Sequence, residues 1–105
     1  AITMTLHNIS DLISKNRVMI FSKTYCPYCT KAKDLFKAKN VSYCPVELDK
    51  LPEEESASVK EELFKMTNRT TVPNIFINAK PIGGCDDLMK LEKEGKLTEL
   101  LSPAA

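Results

Sequence analysis

Apolar positions recur along this chain with two periods, and the switches between them outline its elements. Leu6, Ile9, Leu12 and Ile13 fall at helical spacing, which predicts an amphipathic helix over residues 5–15. Thr5 reads as its N-cap and Asn16 as its left-handed stop. Val18-Met19-Ile20-Phe21 is a continuous apolar run with β-branched and aromatic members, the pattern of a central strand. A helix follows from Pro27, with Leu35 and Phe36 on its buried face and Asn40 ending it. Tyr43 to Leu48 reads as a second strand, and Pro45 assigns it to a sheet edge because proline cannot donate to a ladder.

The second half continues in the same way. Glu53-Glu54-Glu55 suits the first turn of a helix, where acids complement the dipole. Val59, Leu63 and Met66 supply its apolar stripe, with Met66 as core filler, and Asn68 is its left-handed stop. Thr71 to Ile77 reads as a strand with a proline near its start. Asn78-Ala79-Lys80 is a short turn and Pro81-Ile82 a return strand, so this pair is an antiparallel hairpin. After the Gly83-Gly84 bend, Cys85 opens a helix through Leu88, Met89 and Leu91, with Gly95 past its end. Leu97, Leu100 and Leu101 make a short last helix. The strand–helix–strand unit near the start implies parallel strands. The expectation is one α/β domain over residues 1–105: a four-stranded mixed sheet flanked by about five helices.

Charge and composition narrow the function. A net charge of +1 gives no case for a nucleic-acid partner, and no apolar run approaches the ~18 residues of a membrane span. Residues 1–4 lack the charged and apolar regions of an intact secretory signal. Residues 1–50 carry eight Lys/Arg against four Asp/Glu, so Lys23, Lys31 and Lys33 lie in a basic half. Lys31 and Lys33 read as solvated surface charge, whereas Lys23 stands three residues before Cys26. Four cysteines, two of them in one C-x-x-C, fit a reducing compartment, and a cytoplasmic monomer is expected.

The chemistry is concentrated in Cys26-Pro27-Tyr28-Cys29, between a strand and a helix. Thiol–disulfide exchange needs a thiolate, and helix N-termini and nearby cations favour one. Cys26 is offered both, through the helix start and Lys23. Cys29 lies one turn further in, with fewer free N–H groups and less exposure. Cys26 is therefore the expected nucleophile and Cys29 the resolving thiol, with Tyr25 and Tyr28 as flat surface beside the sulfur. Half of a zinc site is the alternative, but Cys44, Cys85 and His7 are scattered singly, and no metal is expected. Cys44 reads as a small apolar filler. A cis bond before Pro73 would present the Val72 backbone to an extended ligand, although the residues alone favour a plain edge proline. Gly83-Gly84-Cys85-Asp86-Asp87 reads as a carboxylate site at a helix N-terminus, as a helix capped by Asp86 or Asp87, or as both.

Ser22 to Cys29, then Thr71-Val72-Pro73, then Gly83 to Leu88 resemble the dithiol glutaredoxins in order and spacing, over nearly the whole chain. The resemblance implies a thioredoxin-like fold and a glutathione-dependent oxidoreductase acting on protein–glutathione mixed disulfides through Cys26, and on protein disulfides through Cys26 and Cys29. It implies glutathione as co-substrate, with Lys23 at its glycine carboxylate and Lys60 as a second contact there. Tyr28, Thr71, Val72, the cis-proline Pro73 and Cys85 would line the groove. The backbone of Asp86 and Asp87 would take the γ-glutamyl carboxylate, with the Asp87 side chain facing the amine. Two departures stand out. Arg69 lies one position earlier than the family's usual basic residue, and Ala79 replaces the usual hairpin glycine. Two rivals remain. An iron–sulfur carrier dimer is disfavoured by Pro27. A thioredoxin-type reductant is disfavoured by the absence of Trp and by Pro27-Tyr28 in place of a Gly followed by a Pro.

Overall fold

The computed structural model describes residues 9–101. Its elements, in chain order, are α1 (Ile9–Lys15), β1 (Val18–Ser22), α2 (Pro27–Ala38), β2 (Cys44–Glu47), α3 (Glu53–Thr67), β3 (Asn74–Ile77), β4 (Lys80–Gly83), α4 (Cys85–Lys93) and α5 (Lys96–Leu101). A 3-10 turn at Leu48–Lys50 joins β2 to α3. The sheet order is β2-β1-β3-β4. β1 pairs parallel to β2 and antiparallel to β3, and β3 pairs antiparallel to β4. This is the expected mixed sheet with five helices. Pro45 sits on the edge strand β2, as expected.

The apolar run of β1 is divided by the two-residue period of a strand. Met19 and Phe21 enter one core with Ile9 and Ile13 of α1, Val59 and Leu63 of α3, and Phe76 of β3. Val18 and Ile20 enter the other with Ala32 and Phe36 of α2, Ile75 and Ile77 of β3, Leu88 of α4, and Leu97 and Leu101 of α5. All five β1 residues are therefore buried. Phe21 and Phe76 meet edge to face, with centroids 5.9 Å apart. Helices cover both faces, which is why the central strands read as unbroken apolar runs.

Several boundaries differ from the sequence reading. The Thr5 cap and Leu6 lie outside the described residues. Asn16 is not left-handed; its side-chain amide donates to the Leu12 carbonyl at 2.9 Å and closes α1 that way. Asn40 and Asn68 do take positive φ, at 59° and 60°. Met66 is 40% exposed rather than core filler, because the buried face of α3 runs through Glu55, Val59 and Leu63. β3 begins at Asn74, and the Val72–Pro73 bond is cis. The plain edge-proline reading fails, since β3 lies inside the sheet and Pro73 is buried at its entrance.

Candidate active site

The turn from β1 into α2 delivers the two cysteines. Pro27 occupies the first helical position, where a missing N–H costs nothing, and Cys26 is the N-cap in extended conformation. The Cys29 N–H donates to Cys26 Sγ at 3.3 Å. The sulfur thus occupies the place of a capping oxygen, beside the helix N–H groups that lack partners within the helix. Cys26 is half-buried, and its Sγ lies 4.0 Å from the Val72 carbonyl oxygen across the groove. Cys29 is fully buried. Burial first, then its hydrogen bond to Cys26, pushes its thiol from the ordinary 9.0 up to about 12. Tyr25 and Tyr28 are 70% and 60% exposed beside the nucleophile.

The loop before Cys26 is anchored from beyond β2. Asp49 accepts the Thr24 N–H at 3.0 Å and also the Thr24 hydroxyl. These two bonds hold the Asp49 carboxyl below the usual carboxylate range. Behind the site, buried Ser22 donates to Glu47 at 2.5 Å, and Glu47 pairs with Lys33. The Lys33 side chain is only 16% exposed, so it is not the solvated surface charge its sequence context suggested. Its charge favours the Cys29 thiolate, against the larger effect of burial. Neither the Asp49 anchor nor the Glu47 bridge has a local sequence signal, because each joins residues from different elements.

A groove of about 350 Å³ runs from Tyr28 to the start of α4, lined by Arg69, Val72, Pro73 and Gly84 to Asp87. The fold therefore brings Tyr28, Val72, Pro73, Cys85, Asp86 and Asp87 together along one groove. Gly84 is the N-cap of α4, where Asp86 or Asp87 was expected. Asp87 instead reaches back to accept the Gly84 N–H at 3.0 Å. That places its carboxylate at the groove, which the first turn of α4 lines with N–H groups that lack partners within the helix. Cys85 is buried, which raises its thiol pKa, and Cys44 packs against the core beneath α1 and α3.

Lys23, Lys60 and Thr71 stand outside this lining. The Lys23 ammonium lies 6.0 Å from the Tyr25 ring centroid. Lys60 and Thr71 line a small adjoining crevice, with Val72 and Arg69 common to both. Arg69 is the groove residue that the motifs alone did not place. It is one step out of the usual register, and only the folded loop shows where its guanidinium goes. Among the described residues no three His, Cys, Asp or Glu side chains cluster as a metal site.

This geometry agrees with what the chain is similar to. The glutaredoxin family model matches residues 18–82, from β1 into β4. Mitochondrial glutaredoxin-2 of Bos taurus is 50% identical over 101 residues, spanning 96% of this chain and 63% of the relative. This chain thus covers less than two thirds of that relative's length. A glutaredoxin of Solanum lycopersicum is 43% identical over 101 residues, spanning 96% and 92%. Among solved structures, a buckwheat glutaredoxin–glutathione complex superposes with a TM-score of 0.86 at 39% identity, covering 94% of this chain and 88% of the other. A family match over more than half of the chain, on a fold that carries both cysteines at one helix start, means that this chain belongs to the glutaredoxin family.

Proposed function

We propose that this chain is a glutathione-dependent thiol–disulfide oxidoreductase. The observation that carries the reading is Cys26 Sγ held at the α2 N-terminus by the Cys29 N–H, on the rim of a groove that ends at the α4 N-terminus and Asp87. Glutathione has two carboxylates and one ammonium. A helix N-terminus with an aspartate at one end, and Lys23 beyond the thiol at the other, are complementary to it. Lys60 and Thr71 line the adjoining crevice, which shares Arg69 and Val72 with the groove. The glutathione complex of the buckwheat relative supports the same ligand here.

In the monothiol route, the Cys26 thiolate attacks the glutathionyl sulfur of a protein–glutathione mixed disulfide. The S–S bond breaks, the substrate protein leaves as a thiolate and takes a proton, and glutathione stays on Cys26. A second glutathione thiolate attacks that glutathionyl sulfur, forming glutathione disulfide and freeing Cys26. In the dithiol route, Cys26 attacks a protein disulfide, and Cys29 then attacks Cys26 Sγ, releasing the reduced protein. Two glutathiones reduce the resulting Cys26–Cys29 disulfide.

Burial is the largest cause of the raised Cys29 pKa, and Cys26 adds to it. While Cys26 is free, its hydrogen bond and charge help keep Cys29 protonated. Once Cys26 is in a mixed disulfide, both effects are gone, and Cys29 loses its proton more readily.

Four free cysteines suit a reducing compartment such as the cytoplasm. The test is turnover of a glutathionylated peptide, with glutathione and its reductase supplying electrons. Cys26→Ser should abolish turnover, and Cys29→Ser should retain it while losing reduction of protein disulfides. Retained turnover in Cys26→Ser, or electrons accepted from a thioredoxin reductase instead, would overturn the reading.

A further inference from the structure

The period of β1 and β2 puts two polar side chains where apolar ones are expected. Val18 and Ile20 enter the core that α2 covers, and the two-residue period of the strand puts Ser22 on the same face. Val46 of β2 enters the opposite core, so Glu47 next to it also turns towards α2. Ser22 and Glu47 are partners in the parallel β1–β2 ladder. Ser22 is fully buried, and its hydroxyl donates to Glu47 Oε1 at 2.5 Å. The other carboxylate oxygen, Oε2, accepts the Lys33 ammonium from α2.

Lys33 stands four residues after Cys29 on α2, the spacing at which two helical side chains are neighbours on one face. A free lysine carries its ammonium out to water on a flexible stem. Here Glu47 ties it down on the buried side, and Ser22 fixes the carboxylate in turn. The Lys33 and Glu47 side chains are only 16% and 20% exposed. Drawing two charges this far out of water costs desolvation, so stability is a poor account of the pair. The groups that act on Cys29 are Cys26 and Lys33 along α2, and the Lys23 backbone in the loop before it. Glu47 reaches Cys29 from β2 through Lys33.

We propose that Glu47 is a positioning residue for the resolving step of the dithiol route: it holds the Lys33 ammonium on the Cys29 side of α2. In that step Cys29 gives its proton to water, and its thiolate attacks Cys26 Sγ. The Cys26–Cys29 bond forms, and the bond from Cys26 to the substrate sulfur breaks, releasing a thiolate that takes up a proton. The negative charge on Cys29 exists only in this step, so a cation fixed beside its turn of the helix acts on this step. The inference rests on the dithiol route proposed above and is independent of glutathione.

The test follows closure by itself. Reduced chain and an equimolar amount of dithiobis(nitrobenzoate) react at low pH, which leaves thionitrobenzoate on Cys26. A jump to higher pH then releases the coloured thiolate as Cys29 closes, and the readout is the closure rate against pH. A thiol that loses a neighbouring cation has less thiolate at neutral pH, and its greater basicity returns only part of the rate. Lys33→Met should therefore close about threefold to tenfold more slowly at neutral pH, with its profile moved to higher pH. Glu47→Ala should do the same. The double variant should close no more slowly than Lys33→Met, because Glu47 acts through Lys33. Glu47→Gln keeps an acceptor for the ammonium, and its profile should lie between wild type and Glu47→Ala. If Glu47→Ala fails to fold, Glu47→Gln, alone and with Lys33→Met, is read in the same way. Closure in the Glu47 variants as fast as wild type or faster, or losses that multiply in the double variant, overturns the assignment of Glu47 and leaves the dithiol route standing. A wild-type chain that releases no thionitrobenzoate after the jump overturns both.

Discussion

The backbone N–H of Cys29 donates to Cys26 Sγ across 3.3 Å, so the two cysteines are linked as N-cap and third helical residue before any disulfide joins them. The nucleophile therefore also holds the start of α2 in place. Removing the sulfur removes a cap, and Cys26→Ala should destabilise the reduced protein by about 1 kcal/mol. Cys26→Ser supplies a better capping atom and should be at least as stable as wild type. Both variants should be inactive. Denaturant midpoints of the three reduced proteins check this, and equal stability of the Ala and Ser variants would remove the capping role.

Burial of Cys29 predicts an alkaline signature. Its folded-state pKa is raised from 9.0 to about 12, so the folded chain keeps a proton that the unfolded chain gives up near pH 9. The stability of the reduced protein should therefore fall as pH rises from about 9 towards 12, by up to ~1.4 kcal/mol per pH unit from this group. Cys29→Ser should lack that part of the slope. Chemical denaturation of the two reduced proteins at several pH values just above 9 isolates the difference. Lys33→Met should add to the same effect and slow the resolving step alone, because Lys33 favours the Cys29 thiolate.

Gly83 has φ +117°, and a Cβ there would stand 2.3 Å from Asp87 Oδ2 and 3.1 Å from Asp87 Cβ. Gly83→Ala is strained by its backbone and also pushes Asp87 off the Gly84 N–H. A loss of about 1–3 kcal/mol is expected from the backbone alone. The displaced carboxylate should also raise KM for the glutathionylated substrate. Thermal melting and steady-state kinetics read the two effects separately. An unchanged KM in a folded variant would show that Asp87 does not engage the substrate.

These sites differ in how far the sequence discloses them. The Cys26-Pro27-Tyr28-Cys29 turn was legible because its signals are local: an apolar strand, a proline at the first helical position and a helix face within a few residues. The sheet was legible because β1 and β3 are buried on both faces and carry unbroken apolar runs. Met66 was misplaced because residues 59, 63 and 66 fit one helical stripe, whereas the buried face of α3 runs through Glu55, Val59 and Leu63 and leaves Met66 exposed. Arg69, Lys33 and Asp49 were hidden for a different reason. Each acts on a residue from another element, Asp87, Glu47 and Thr24, and charge partners across a fold leave no periodic trace.

The β3–β4 hairpin carries the other departure visible in the sequence. Its two-residue turn has φ 52° at Asn78 and 66° at Ala79, with Ile77 and Lys80 as the closing pair. Positive φ at both central positions is the type I′ geometry that matches strand twist and favours Asn followed by Gly. Asn78 fits it, and also donates to the Leu100 carbonyl at 3.0 Å, tying the turn to α5. Ala79 does not fit, since its Cβ makes the left-handed region unfavourable by roughly 1–2 kcal/mol. Glycine would relieve that strain but gives the unfolded chain more freedom, which offsets part of the gain. Ala79→Gly should therefore stabilise the protein by about 0.5–1 kcal/mol. Ala79 is exposed and lies outside the groove lining, so kcat/KM should stay at the wild-type value. A melting temperature that falls in Ala79→Gly would show that the turn does not hold this residue in the left-handed region.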